Sequence, residues 1–174
     1  MRWPPCHLNE PEPSKGPNLM SSLLAVDVGL RTGLALYRQD GRLLWYRSHN
    51  LGNATRLRRA VQNLLRELPD LVWVVLEGGG PLADIWTHEA ERRQIQVRRI
   101  SAEDWRSQLL YPRQRRHGAQ AKNSADAMAR RVIESSAASR PTSLRHDAAE
   151  AILIGLWGLL DVGWLKALPR ESRR

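Results

Sequence analysis

Residues 23 to 37 read LLAVDVGLRTGLALY: an apolar run, a glycine-containing turn, and a second apolar run. This is the pattern of a buried strand that turns and runs straight back. One residue disturbs it. Asp27 sits inside the first run, where an ionised carboxylate is costly unless a cation meets it. The hairpin therefore sets two conditions at once, a covered sheet and a source of positive charge beside Asp27.

The rest of the chain extends the sheet. SLLAVDVG predicts the first strand, TGLALYR its antiparallel return, and GRLLWYRSH a third strand after a turn at Gln39–Gly41. Leu57, Val61, Leu64, Leu65 and Leu68 recur at helical spacing until Pro69 stops them. DLVWVVLE is almost wholly apolar, as expected of a strand covered on both faces. A helix around ADIWTHEAERRQ and a strand at IQVRRI follow, and Ser101 with Asp104 resembles a capping box opening AEDWRSQLL. A basic loop, YPRQRRHGAQ, leads to a helix near 122–136; a Ser/Pro-rich break at 135–143 precedes a last helix over roughly 143–162. Right-handed crossovers put strands four and five beside strand one. The predicted class is α/β with the ribonuclease H-like layout, a mixed five-stranded sheet (three antiparallel strands, then parallel ones) with helices on both faces. Element order alone also allows another small α/β sandwich.

The 174 residues suffice for one well-packed domain, and 42% apolar content argues against global disorder. Residues 1 to about 20 hold five of the ten prolines and no hydrophobic period, so 1–21 is expected to be a disordered tail. Met20 directly precedes the first strand, and a start there would lose nothing structural. Residues 22–165 form the expected domain, and 166–174 a basic C-terminal tail. The lone cysteine, Cys6, excludes an internal disulfide and a Cys-based zinc site. The most apolar run, AILIGLWGLL, is about half a membrane span. No membrane association is expected, and an intracellular location is.

Four acids stand out. In the predicted layout Asp27 and Glu77 end neighbouring strands, while Asp147 and Glu150 share one face at the start of the last helix. If that helix packs its first turn over strand one, the four carboxylates converge and repel one another. Divalent cations resolve the repulsion, and oxygen ligands without cysteine point to Mg2+ or Mn2+. Two such ions about 4 Å apart are suited to phosphodiester cleavage, with Asp27 as bridging ligand. Each acid also has a plainer reading. Asp27 fits a turn-closing aspartate, Glu77 a solvated strand end, and Asp147 with Glu150 a D-x-x-E capping box.

AVDVGLRTGLALY, WVVLEGGG and HDAAEAILIGLWG, in this order and at these separations, resemble the RuvC-type Holliday-junction resolvases. ISAEDWRSQLL, the basic loop and AKNSADAMARRVI are similar to the plant organellar branch of that superfamily. The resemblance spans residues 23 to 160. It implies that 22–165 is a nuclease domain and that Asp27, Glu77, Asp147 and Glu150 are catalytic ligands of two Mg2+ ions. The sequence departs in two respects. The last acid is Glu150 where aspartate is common, and His146 offers an alternative ligand one residue before Asp147.

Net charge is +9, from 27 Lys+Arg against 18 Asp+Glu, and nearly all the positive charge is arginine. A polyanionic partner follows, nucleic acid being the commonest; a basic solubility surface is the plainer alternative. Arg113, Arg115, Arg116 and Lys122 are candidates for phosphate contact. Gly78, Gly79 and Gly80 would let backbone approach a phosphate or a junction centre closely. Trp86 is a stacking candidate or a core residue; Trp45, Trp73, Trp105, Trp157 and Trp164 read as core or interface. Resolving a two-fold symmetric four-way junction by two matched nicks suits a C2 homodimer, with the helix at 54–68 or at 122–136 as interface. Expected locations are a prokaryotic nucleoid or an organellar matrix or stroma. Two alternatives stay open: an RNA-processing nuclease, since VDVGLRTGLAL also resembles the YqgF group, and a non-catalytic ribonuclease H-like binder of nucleic acid.

Overall fold

A computed structural model describes residues 21–115, 118–136 and 138–170. The N-terminal tail apart from Ser21, Arg116, and residues 171–174 lie outside the described part, as do the side chains of Arg113 and Arg115. Five strands form one sheet: β1 (Ser22–Asp27), β2 (Arg31–Arg38), β3 (Leu43–Asn50), β4 (Leu71–Glu77) and β5 (Gln96–Ile100), in the order β3-β2-β1-β4-β5. β1 pairs antiparallel with β2 and parallel with β4; β2–β3 is antiparallel and β4–β5 parallel. This is the mixed ribonuclease H-like sheet expected from the element order.

Six helices complete the described chain: α1 (Ala54–Arg66), α2 (Gly80–Glu91), α3 (Ala102–Leu109), α4 (Pro112–Arg115), α5 (Gly118–Glu134) and α6 (His146–Asp161). Alternation along the strands divides the core in two. Leu24, Val26, Leu34, Leu36, Val74 and Leu76 pack with Leu57, Val61 and Leu65 of α1 and with Trp86 and Ala90 of α2. Leu23, Ala25, Ala35, Tyr37 and Val75 point the other way, against α6, with Trp105 of α3 and Met128, Ala129 and Val132 of α5 in the same cluster. α6 is buried from Ala151 to Leu159, which explains its unbroken apolar run there. The Tyr37 hydroxyl ties it to the sheet by donating to the Ile152 carbonyl at 2.7 Å. Among the described residues no helix is long and apolar enough to cross a membrane.

Two expectations need correction, and two open alternatives are decided. α2 starts at Gly80, with Pro81 in its first turn, where a missing N–H leaves no helical bond unmade. The basic stretch 111–120 contains α4 and the start of α5. α6 starts at His146; its N-cap is Arg145 without a side-chain cap bond, so Asp147 and Glu150 do not form a capping box. Trp86 is 1% exposed and belongs to the core, which removes it as a stacking residue.

Candidate active site

One rung of the sheet organises the site. Ser48 pairs with Gly33, Gly33 with Asp27, Asp27 with Glu77, and Glu77 with Ile100. Asp27 has the same strand parity as Leu23 and Ala25, and Glu77 the same as Val75, so both carboxylates face α6. The first turn of α6 lies directly on this rung. A Cβ on Gly33 would fall 1.9 Å from the Asp147 carbonyl oxygen, so any larger residue there would push the helix off the sheet. Two acids of the sheet thus lie under the first turn of the helix that carries the other two.

This proximity has an electrostatic consequence. Burial first, then the charges of Glu150, Glu77 and Asp147, push the Asp27 carboxyl up to about 7, while the Arg106 guanidinium opposes them. Glu77 is also raised, chiefly by burial and further by Glu150, against the lowering effects of the Trp105 hydrogen bond and of Arg106.

Three acids have specific partners. The Trp105 indole N–H donates to Glu77 Oε2 at 2.7 Å. Arg106 Nη2 donates to Glu150 Oε1 at 2.6 Å. The Ser48 hydroxyl donates to Asp147 Oδ2. His146 Nε2 lies 3.5 Å from Glu150 Oε1 without making a hydrogen bond. Trp105 and Arg106 are placed by a local signal. β5 ends at Ile100 beside Glu77, and Ser101 then donates from its N–H and hydroxyl to Asp104, fixing the start of α3.

These partners are what sequence reading missed. Trp105 was expected in the core or an interface. It is fully buried, yet its one polar atom is on Glu77. Arg106 belonged to no arginine cluster and carried no expectation, nor did Ser48. The available signal was a Trp-Arg pair in the first turns of a capped helix directly after the strand neighbouring Glu77.

The other candidates are less assembled. Gly78 has φ of +113°, a conformation side chains resist, and its N–H donates to the Ile100 carbonyl at 3.3 Å. Gly79 and Gly80 are exposed with open space around them, so backbone borders the site beside Glu77. Lys122 is exposed on α5 and is not brought into contact with the four acids.

The donor set, four carboxylates with an imidazole alongside, has the chemistry a hard divalent cation requires. As the side chains stand, no three such groups among the described residues are gathered closely enough to hold an ion. The bonds to Trp105, Arg106 and Ser48 each take up one carboxylate oxygen.

No family model matches this chain, and no curated protein matches it. Among solved structures it is similar to Thermus thermophilus RuvC in complex with Holliday junction substrate ("T. thermophilus" RuvC), at 16% identity and a TM-score of 0.57, covering 82% of this chain and 95% of that one. A simian T-cell lymphotropic virus intasome with a PP2A regulatory subunit aligns at 8% identity over 78% of this chain and 46% of that one; its TM-score of 0.30 is too low to bear on the fold. The chain has the RuvC fold, as the resemblance of its strand and helix motifs implies.

Proposed function

We propose that this protein is a divalent-metal-dependent endonuclease that acts on four-way DNA junctions, opening them by paired symmetric nicks as a C2 homodimer. The observation that carries this reading is the single rung that sets Asp27 beside Glu77 under the first turn of α6, with Asp147 and Glu150 above. It occurs on a fold shared with a protein solved on a Holliday junction.

Asp27, Glu77, Asp147 and Glu150 would hold the metal, with His146 as an alternative ligand. A pair of Mg2+ ions, or Mn2+ in their place, would supply water activation and charge on the leaving oxygen of a phosphodiester. The chain's own groups prepare that chemistry. Trp105 holds one oxygen of Glu77 and Ser48 one of Asp147, so each carboxylate presents its other oxygen in a fixed direction. Gly78, Gly79 and Gly80 leave room for a strand to pass beside Glu77. Lys122, Arg113, Arg115 and Arg116 would track the DNA backbone and make binding fall with salt. Two copies related by a two-fold axis would match the junction's symmetry.

The test is cleavage of a synthetic four-way junction by purified protein in Mg2+, with an EDTA control. Symmetric nicks with linear duplex left whole are expected. Cutting of RNA alone would replace the substrate, and tight junction binding without cutting in Mg2+ or Mn2+ would leave a binding protein.

A further inference from the structure

Arg106 differs in kind from the other partners of the acids. Trp105 and Ser48 are neutral donors, which orient a carboxylate without opposing a cation on its other oxygen. Arg106 is a full positive charge on Glu150, whose side chain is only 12% exposed. Its field also reaches Asp27 and Glu77, so it faces three of the four acids. Its guanidinium carbon lies 5.0 Å from the centroid of the Trp105 ring, and that indole is itself bound to Glu77. A positive charge thus already sits among the acids.

With the Arg106 guanidinium on Oε1, a divalent ion on the other oxygen of Glu150 would meet its full positive charge at close range. The planar donor fork of arginine fits phosphate oxygens as well as it fits a carboxylate. With 29% of its side chain exposed, Arg106 lies between the interior and solvent. Building on the nuclease reading above, we infer that Arg106 is the site's resident counter-cation, which leaves Glu150 for a DNA phosphate and so makes metal loading depend on bound DNA. Glu150 is neutralised by a cation of the protein's own until the substrate draws it off. By linkage, metal and DNA then strengthen each other's binding by the same factor.

Calorimetric titration of Mn2+ into the full chain tests this, alone and with a saturating four-way junction whose own Mn2+ uptake is subtracted. Wild-type protein should bind Mn2+ about tenfold more tightly with the junction than without it. Arg106→Gln should bind Mn2+ without DNA about as tightly as wild type does with DNA, and should lose most of the gain from adding the junction. Arg106→Lys, which keeps the charge, should follow wild type. Equal Mn2+ affinity of wild type and Arg106→Gln in the absence of DNA overturns the inference while leaving the nuclease reading intact. Absence of Mn2+ uptake by every protein, with and without DNA, overturns both. Should Arg106→Gln fail to fold, the two wild-type titrations decide, and no tightening by the junction overturns the exchange.

Discussion

The α1/α2 layer and the α6 layer each bury a carboxylate, and they treat it in opposite ways. On α2 and facing α1, Glu89 is 4% exposed and bound by Arg93 one helical turn on, with Arg92 and Gln62 each 3.5 Å away. Burial raises its pKa, but the Arg93 and Gln62 hydrogen bonds and the charges of Arg93 and Arg92 more than offset this, and the net shift is downward. Under α6, Asp27 has no arginine bonded to it; burial and three more acids raise it to about 7, against the more distant Arg106. A buried acid with cations from its own helix is part of the structure. On the reading proposed above, a buried acid crowded by other acids is where a cation from outside binds.

The largest expected effect bears on the second face. Asp27→Asn should lower junction cleavage in Mg2+ by about a thousandfold, since a ligand contributes several kcal/mol of charge stabilisation. Junction affinity in EDTA should stay close to wild type. The same variant carries a stability signature. Because the folded pKa of Asp27 lies above the ordinary carboxylate value, ionising it penalises the metal-free fold at pH 8, and the penalty fades as pH falls through 7 toward 4. Thermal melts in EDTA should show Asp27→Asn more stable than wild type by on the order of 3 kcal/mol at pH 8, with the gain gone near pH 4. A gain that does not change with pH would break the comparison.

Glu89 should behave in reverse. Glu89→Ala leaves Arg93 without its partner and should destabilise the protein by about 3 kcal/mol by denaturant unfolding, while the folded fraction cleaves at the wild-type rate. Its contribution is present at neutral pH and is lost as pH falls through its lowered folded pKa. A loss of activity beyond the loss of folded protein would show that the α1/α2 face reaches the chemistry. The smallest effect belongs to Trp105→Phe, which keeps the buried ring and removes the N–H to Glu77. It should weaken Mn2+ binding by roughly ten- to a hundredfold with a melting temperature near wild type, measured by calorimetry and thermal melt.

How legible this was in the sequence depended on whether the determining interaction was local. Alternation in LLAVDVG and LVWVVLE fixes which residues face which way, so the pairing of Asp27 with Glu77 was readable once the crossover was right-handed. The Ser101–Asp104 cap was readable because both residues lie within one turn. The bonds from Trp105 to Glu77 and from Arg106 to Glu150 span 28 and 44 residues, and nothing in the periodicity of AEDWRSQLL directs a tryptophan's polar edge at an acid. The start of α2 was misplaced because Gly-Gly-Gly-Pro reads as loop, although proline is at home in a first turn. A D-x-x-E spacing was consistent both with a helix cap and with a pair of site acids, and only packing against Gly33 separates them.

At Gly33 main chain rests on main chain, with no rotamer between strand and helix to take up a displacement. A change in the twist of β1 and β2 is handed directly to the turn that carries Asp147, and from there to Glu150. The tolerance on the distances between the acids is thus set by the backbone, and the bulk of the molecule serves as a rigid jig for four oxygen-bearing tips.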